Sequence, residues 1–130
     1  MRFFLVCLML TFAMTGCQNR YSTAMSVNIA LYNNSTNALD GVELSWQGPY
    51  VSAGILPPGK SKVTLDVEWP NAPSAKLNIT DAETHQLYSI ELSLSEVNKQ
   101  ISLGKCGTVV IRISSYDKAE VVCKEGDAWR

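Results

Sequence analysis

His85 is the one histidine in a chain of 130 residues, so any imidazole chemistry has to run through it. Asp81 and Ser89 lie four residues to either side, and together the three supply the residue types of a nucleophile–base–acid relay. Such a relay also needs a nucleophile presented on a sharp turn, and no GxSxG stands in the chain. His85 instead opens an alternating apolar run, next to the polar stretch Asp81-Ala82-Glu83-Thr84, and reads as a surface histidine. Zinc and related metals need three or four His, Cys or carboxylate ligands, and one histidine with scattered carboxylates does not make that set. Asn33 to Asp40 lacks the acidic density of a calcium loop. Gly54, Gly59, Gly104 and Gly107 read as turn glycines without the spacing of a phosphate cradle. The acids are spread over alternating solvent-facing positions rather than gathered into the carboxylate pair of a glycosidase. The expectation is a protein without catalysis, metal or cofactor.

The four cysteines are more telling. Cys7 sits in an uncharged run from Phe3 to Ala13, preceded by Arg2; Met14-Thr15-Gly16 then lead into Cys17. A charged start, a short apolar region and small residues before a cut are the layout of a secretory signal. Residues 3–16 fall short of the roughly 20 apolar residues of a membrane-spanning helix. A cut before cysteine at Met14-Thr15-Gly16-Cys17 resembles the lipobox of bacterial lipoproteins, although that pattern prefers Leu where Met14 stands. The resemblance implies cleavage by signal peptidase II and acyl chains on the sulfur and amine of Cys17. It also implies sorting by the next residue, and Gln18 rather than Asp directs the product to the outer membrane, facing the periplasm. Plain secretion and a retained anchor are the competing readings. The expected organisation is a signal peptide at 1–16, a lipidated tether at 17–24 and one domain at 25–130.

With Cys7 discarded and Cys17 acylated, Cys106 and Cys123 remain as a pair in an oxidising compartment, and a disulfide is expected. A turn near Asp117 would set Cys123 opposite Ile111. Cys106 would then lie in the loop before its strand, or past a bulge at Gly107, and the bond would pin the last strand to its sheet. Neither Asn-x-Ser/Thr at Asn33 and Asn34 nor that at Asn78 is a glycan acceptor outside a eukaryotic secretory route.

The mature chain alternates apolar and polar residues almost throughout. Met25 to Tyr32, Leu39 to Gln47, Tyr50 to Leu56, Ser61 to Trp69, Ala75 to Thr80, His85 to Leu94, Thr108 to Ser114 and Ala119 to Cys123 all read as short strands. Ser61 to Trp69 alternates most regularly, with Val63, Leu65, Val67 and Trp69 on the inward phase. Ser95 to Asn98 is a candidate helical turn, and Ile101 and Leu103 a brief further pairing. The sum is an all-β fold, a small antiparallel β-sandwich of immunoglobulin-like or transthyretin-like type.

Removing residues 1–16 takes away Arg2 alone and leaves 10 basic against 12 acidic residues, a net charge of −2 with no run of one sign. That excludes the clustered basic face of a nucleic-acid binder and a polybasic grip on anionic lipid. Trp46 and Trp69 fall on inward phases. Tyr50, beside Gly48-Pro49, and Trp129 in the C-terminal stretch are the candidate contact residues. The expected function is a lipid-anchored envelope protein with a binding or assembly role, held in the bilayer by acylated Cys17 and docking on another envelope protein. An immunity lipoprotein that neutralises a toxin or secretion-system effector is the alternative.

Overall fold

The computed structural model describes residues 25–46 and 48–126; the expected signal, Cys17 and Trp129 lie outside them. Eight strands and one helix follow in order: β1 (Met25–Asn33), β2 (Leu39–Ser45), β3 (Tyr50–Leu56), β4 (Ser61–Trp69), β5 (Ser74–Asp81), β6 (Leu87–Ser93), α1 (Ser95–Ser102), β7 (Thr108–Ser115) and β8 (Lys118–Lys124). They form two four-stranded sheets, ordered β4-β1-β7-β8 and β3-β2-β5-β6, and the fold is an all-β sandwich. The inward phases of both sheets make one core, in which Ile29, Leu31, Leu44, Leu77, Ile79 and Ile111 are fully buried. Among the described residues, no helix is long and apolar enough to cross a membrane.

Four features depart from the strand-by-strand expectation. First, β1 and β7 are parallel, whereas every other neighbouring pair is antiparallel. Their parallel course follows from the crossover. β6 already finishes at the end where β1 starts, Ser93 opposite Ser74, and α1 carries the chain across to the other sheet at that same end, so β7 leaves in the direction of β1.

Second, the regular alternation of β4 does not survive pairing. Val27 faces Val67 but Ile29 faces Thr64, so Leu65 and Asp66 together oppose Asn28, a bulge of the two-against-one kind. Asp66 takes a left-handed φ of 53°, and its N–H donates to Asn28 Oδ1 at 3.1 Å. The slip reverses the phase before it. Val63 lands opposite Ala30 on the outer face, and Leu65 is 62% exposed.

Third, the helical turn grows into the eight-residue α1, which buries Val97 and Ile101. Residues four apart share a helix face, so Ile101 packs as a helical residue rather than pairing as a strand. Leu103 is left outside, 58% exposed.

Fourth, Gly54 is not in a turn. It lies within β3 at a register shift against Val42, with a φ of 64° that suits glycine.

The disulfide joins Cys106 to Cys123 across a Cα–Cα distance of 5.3 Å. Cys106 lies in the loop before β7, as the sequence suggests, but Cys123 faces Val109 rather than Ile111. A register shift between Ile113 and Ser115 moves the partner strand. The neighbouring Gly107 is obligatory: a Cβ there would sit 2.7 Å from the Gly126 carbonyl oxygen.

Candidate functional site

Strand directions sort the side chains into two ends. At one end β1 starts and β4 finishes, Met25 opposite Trp69, while β2 finishes and β3 starts, Ser45 opposite Tyr50. The two sheets meet there through Trp46 and Trp69, whose rings pack edge to face with centroids 5.6 Å apart, an arrangement favoured by the ring quadrupoles. Trp69 Nε1–H donates to Asn98 Oδ1 at 2.7 Å. Asn98 in turn donates from Nδ2 to the Ala72 carbonyl at 2.8 Å. One asparagine of α1 thereby ties the helix to β4 and to the β4–β5 loop. Trp46 is almost fully buried, and its Nε1 has no hydrogen-bond partner. Both tryptophans are therefore core residues, as their phase implies.

Beside this pair runs a groove of about 640 Å³, walled by Trp46, Pro70, Ala72 and Pro73. Lys76 and Glu91, partners across β5 and β6, stand at its rim. Ser45 and Ser74 also line it, and the Ser45 hydroxyl donates to the Lys76 carbonyl at 3.5 Å. The groove thus combines apolar, hydroxyl and charged groups of both signs, a surface suited to an amphipathic segment. Tyr50 stands at the same end, 65% exposed, as a contact residue requires.

The opposite end collects the turns. Asn33, on the inward phase of β1, is fully buried. Its Nδ2 donates to the carbonyls of Asn37 and Leu56, both at 2.8 Å, and its Oδ1 accepts from the Ser35 N–H at 2.9 Å and the Ser35 hydroxyl at 2.6 Å. Tyr88 and Tyr116 stack across the two sheets with centroids 4.8 Å apart. Near them, the Asp81 carboxylate accepts the backbone N–H groups of Glu83 at 2.8 Å and Thr84 at 3.3 Å. These bonds, that from Glu83 foremost, hold its pKa below the ordinary value. The Tyr116 hydroxyl is pushed up, first by desolvation and then by the negative charge of Asp81.

The chemical candidates of this region do not converge. His85 is exposed in the turn with a φ of 60°, and its backbone N–H donates to the Asp81 carbonyl at 2.9 Å. The Ser89 hydroxyl donates to Asn78 Oδ1 at 2.6 Å. Among the described residues, no three His, Cys, Asp or Glu side chains gather where a metal ion could be held. A second groove of about 690 Å³ opens near this end, on the outer face of the first sheet, between Tyr32, Lys60, Val110 and Arg112. Arg112 there pairs with Glu120 at 2.8 Å.

The exposed apolar residues Met25, Ile55, Leu65, Leu87 and Leu103 were not signalled by alternation alone. For Leu65 the available cue was the polar pair Asn28 and Asp66, which caps the bulge.

No protein-family model matches the chain, and no curated protein matches it. A solved structure, the NMR structure of a protein from Eubacterium rectale, is similar over 78% of this chain and 91% of its own, with 14% identity and a TM-score of 0.39.

Proposed function

We propose that this chain is a lipid-anchored, non-catalytic protein of the bacterial envelope, acylated at Cys17 and placed at the outer membrane facing the periplasm. The reading holds that it acts by binding, as a component that docks on another envelope protein. The spacing carries it: Met14-Thr15-Gly16-Cys17 is followed after seven residues, 18–24, by the first strand of a sandwich closed by a disulfide. An extracytoplasmic compartment lets that bond form, and two or more acyl chains make anchoring stable. The test is processing of a Cys17→Ser variant. Full-length, unacylated precursor is the expected product, and a normally processed, membrane-bound product overturns the anchor. Crosslinking in envelope fractions followed by mass spectrometry then identifies the partner. Recovery of a toxin in place of an envelope component moves the assignment to the immunity reading.

A further inference from the structure

We infer that the sandwich rests its Trp46–Trp69 end on the phospholipid surface, with Tyr50 and Leu103 as the lipid contacts. The inference builds on the acylation of Cys17 proposed above and gives Tyr50 a partner. Met25 begins β1 at this end, opposite Trp69, and Tyr50 begins β3 opposite Ser45, the residue before Trp46. Leu103 follows α1, its N–H bonded to the Lys99 carbonyl at 3.1 Å, and α1 is held to the same end by Asn98 and Trp69. Met25, Tyr50 and Leu103 are 45%, 65% and 58% exposed.

The length of chain between the anchor and the fold decides which surface meets them. Seven residues, 18–24, separate Cys17 from Met25. Fully extended they reach roughly 25 Å, and as a flexible linker about 15 Å. The nine residues of β1 then carry the chain about 30 Å further, to the turn end. The Trp46–Trp69 end is therefore held against the bilayer while the turn end, with its own exposed Ile55 and Leu87, points away. A short tether gives an effective concentration in the millimolar range, so a surface of weak intrinsic affinity stays engaged. Tyrosine suits the role, since its ring sits at the headgroup level of a bilayer with the hydroxyl in water.

The test uses the full, acylated protein in phosphatidylethanolamine–phosphatidylglycerol vesicles containing brominated lipid. Cys106 and Cys123 are bonded to each other, so a single introduced cysteine can carry a fluorophore. Labels are placed at Tyr50→Cys and Leu103→Cys, and at Leu87→Cys and Asp117→Cys on the turn end, all at exposed positions. The expected result is quenching at least about twofold greater at 50 and 103 than at 87 and 117. Equal quenching at the two ends, in protein whose mass shows acylation, overturns this inference and leaves the anchor standing. A label at 50 that is unquenched by lipid and shielded only on adding envelope extract assigns Tyr50 to a protein partner and also overturns it. Unacylated, soluble protein overturns the anchor and the inference together.

Discussion

The two ends of the sandwich are closed by different physics. The Trp46–Trp69 end is held by apolar area, one asparagine on α1 and a covalent bond. There the ring pair, Val97 and Ile101 bury surface, Asn98 satisfies the Trp69 indole, and the disulfide fixes the α1–β7 loop to β8. The turn end is held by polar groups satisfying backbone. Asn33 serves the β1–β2 loop and β3, Asp81 folds the β5–β6 turn around its carboxylate, and the tyrosine stack bridges the sheets. Nondirectional burial tolerates a large, varied closing element such as a helix, whereas tight turns need particular donors and acceptors at particular positions. The comparison teaches that the first end is costly to disturb through volume and the second through hydrogen bonding.

The largest expected effect is at the first end. Trp69→Ala removes a buried ring, its edge-to-face partner and the Asn98 bond, and is expected to lower unfolding free energy by about 3–5 kcal/mol in urea titration. Trp69→Phe keeps an aromatic ring and removes the donor to the half-buried Asn98 oxygen, at about 1 kcal/mol. If the two variants cost the same, the end is held by the hydrogen bond and the contrast between the ends collapses. Next comes the disulfide, which closes a loop across a sequence separation of 17. Cys106→Ser with Cys123→Ser is expected to cost about 3 kcal/mol on the chain-entropy estimate, read as a shift in urea midpoint against wild type. Matching midpoints in the presence and absence of reductant would show that α1 packing alone secures β8.

At the turn end, Asn33→Ala is expected to cost about 1–3 kcal/mol, because the Asn37 and Leu56 carbonyls lose a buried donor. Replacement by leucine restores the volume without the donors and should not rescue stability, the reverse of what Trp69→Phe does at the other end. A smaller, pH-dependent effect belongs to Asp81. Its carboxyl pKa is lower folded than unfolded, so its contribution is present above the unfolded value near 3.8 and fades as pH falls through the folded value. Asp81→Asn is expected to flatten the acid limb of a stability–pH curve by lowering stability above about pH 4, where the carboxylate is ionised, while leaving the acid end close to wild type. An unchanged acid limb would remove the carboxylate from the account of this turn.

Strand existence, the all-β class and the cysteine pairing were legible because each rests on a short-range signal: period-2 alternation, or elimination among four cysteines. The tryptophans were legible as core for the same reason. Asn33 was not, since its type suggests a loop while its phase, two residues after Leu31, places it inside. Only the nearby carbonyls of Asn37 and Leu56 decide between the two. The extent of α1 was hidden because one pair, Val97 and Ile101, is too little periodicity to separate a helix from a short strand. The exposure of Tyr50 accords with its turn neighbours Gly48 and Pro49, but nothing along the chain placed it at the end where β1 starts. That placement follows from the strand pairing and from the packing of Trp46 on Trp69 across the sheets. The parallel β1–β7 pair is likewise a matter of α1 crossing between the sheets at one end, and strand patterns carry no direction.

Leu65 is the sharpest test of the contrast because it belongs to neither end. Alternation along Ser61 to Trp69 puts it in the core, where truncation to alanine would cost about 2–5 kcal/mol. The pairing of Val27 with Val67 and of Ile29 with Thr64 puts it outside instead, and there Leu65→Ala should change stability by no more than about 0.5 kcal/mol. Val67→Ala, on the same strand and packed against the core, serves as the internal reference and should cost more. A large loss at Leu65 would mean that β4 pairs without the bulge. Val63 would then face inward, and the polar pair Asn28 and Asp66 would lose the backbone bond that now holds the slip.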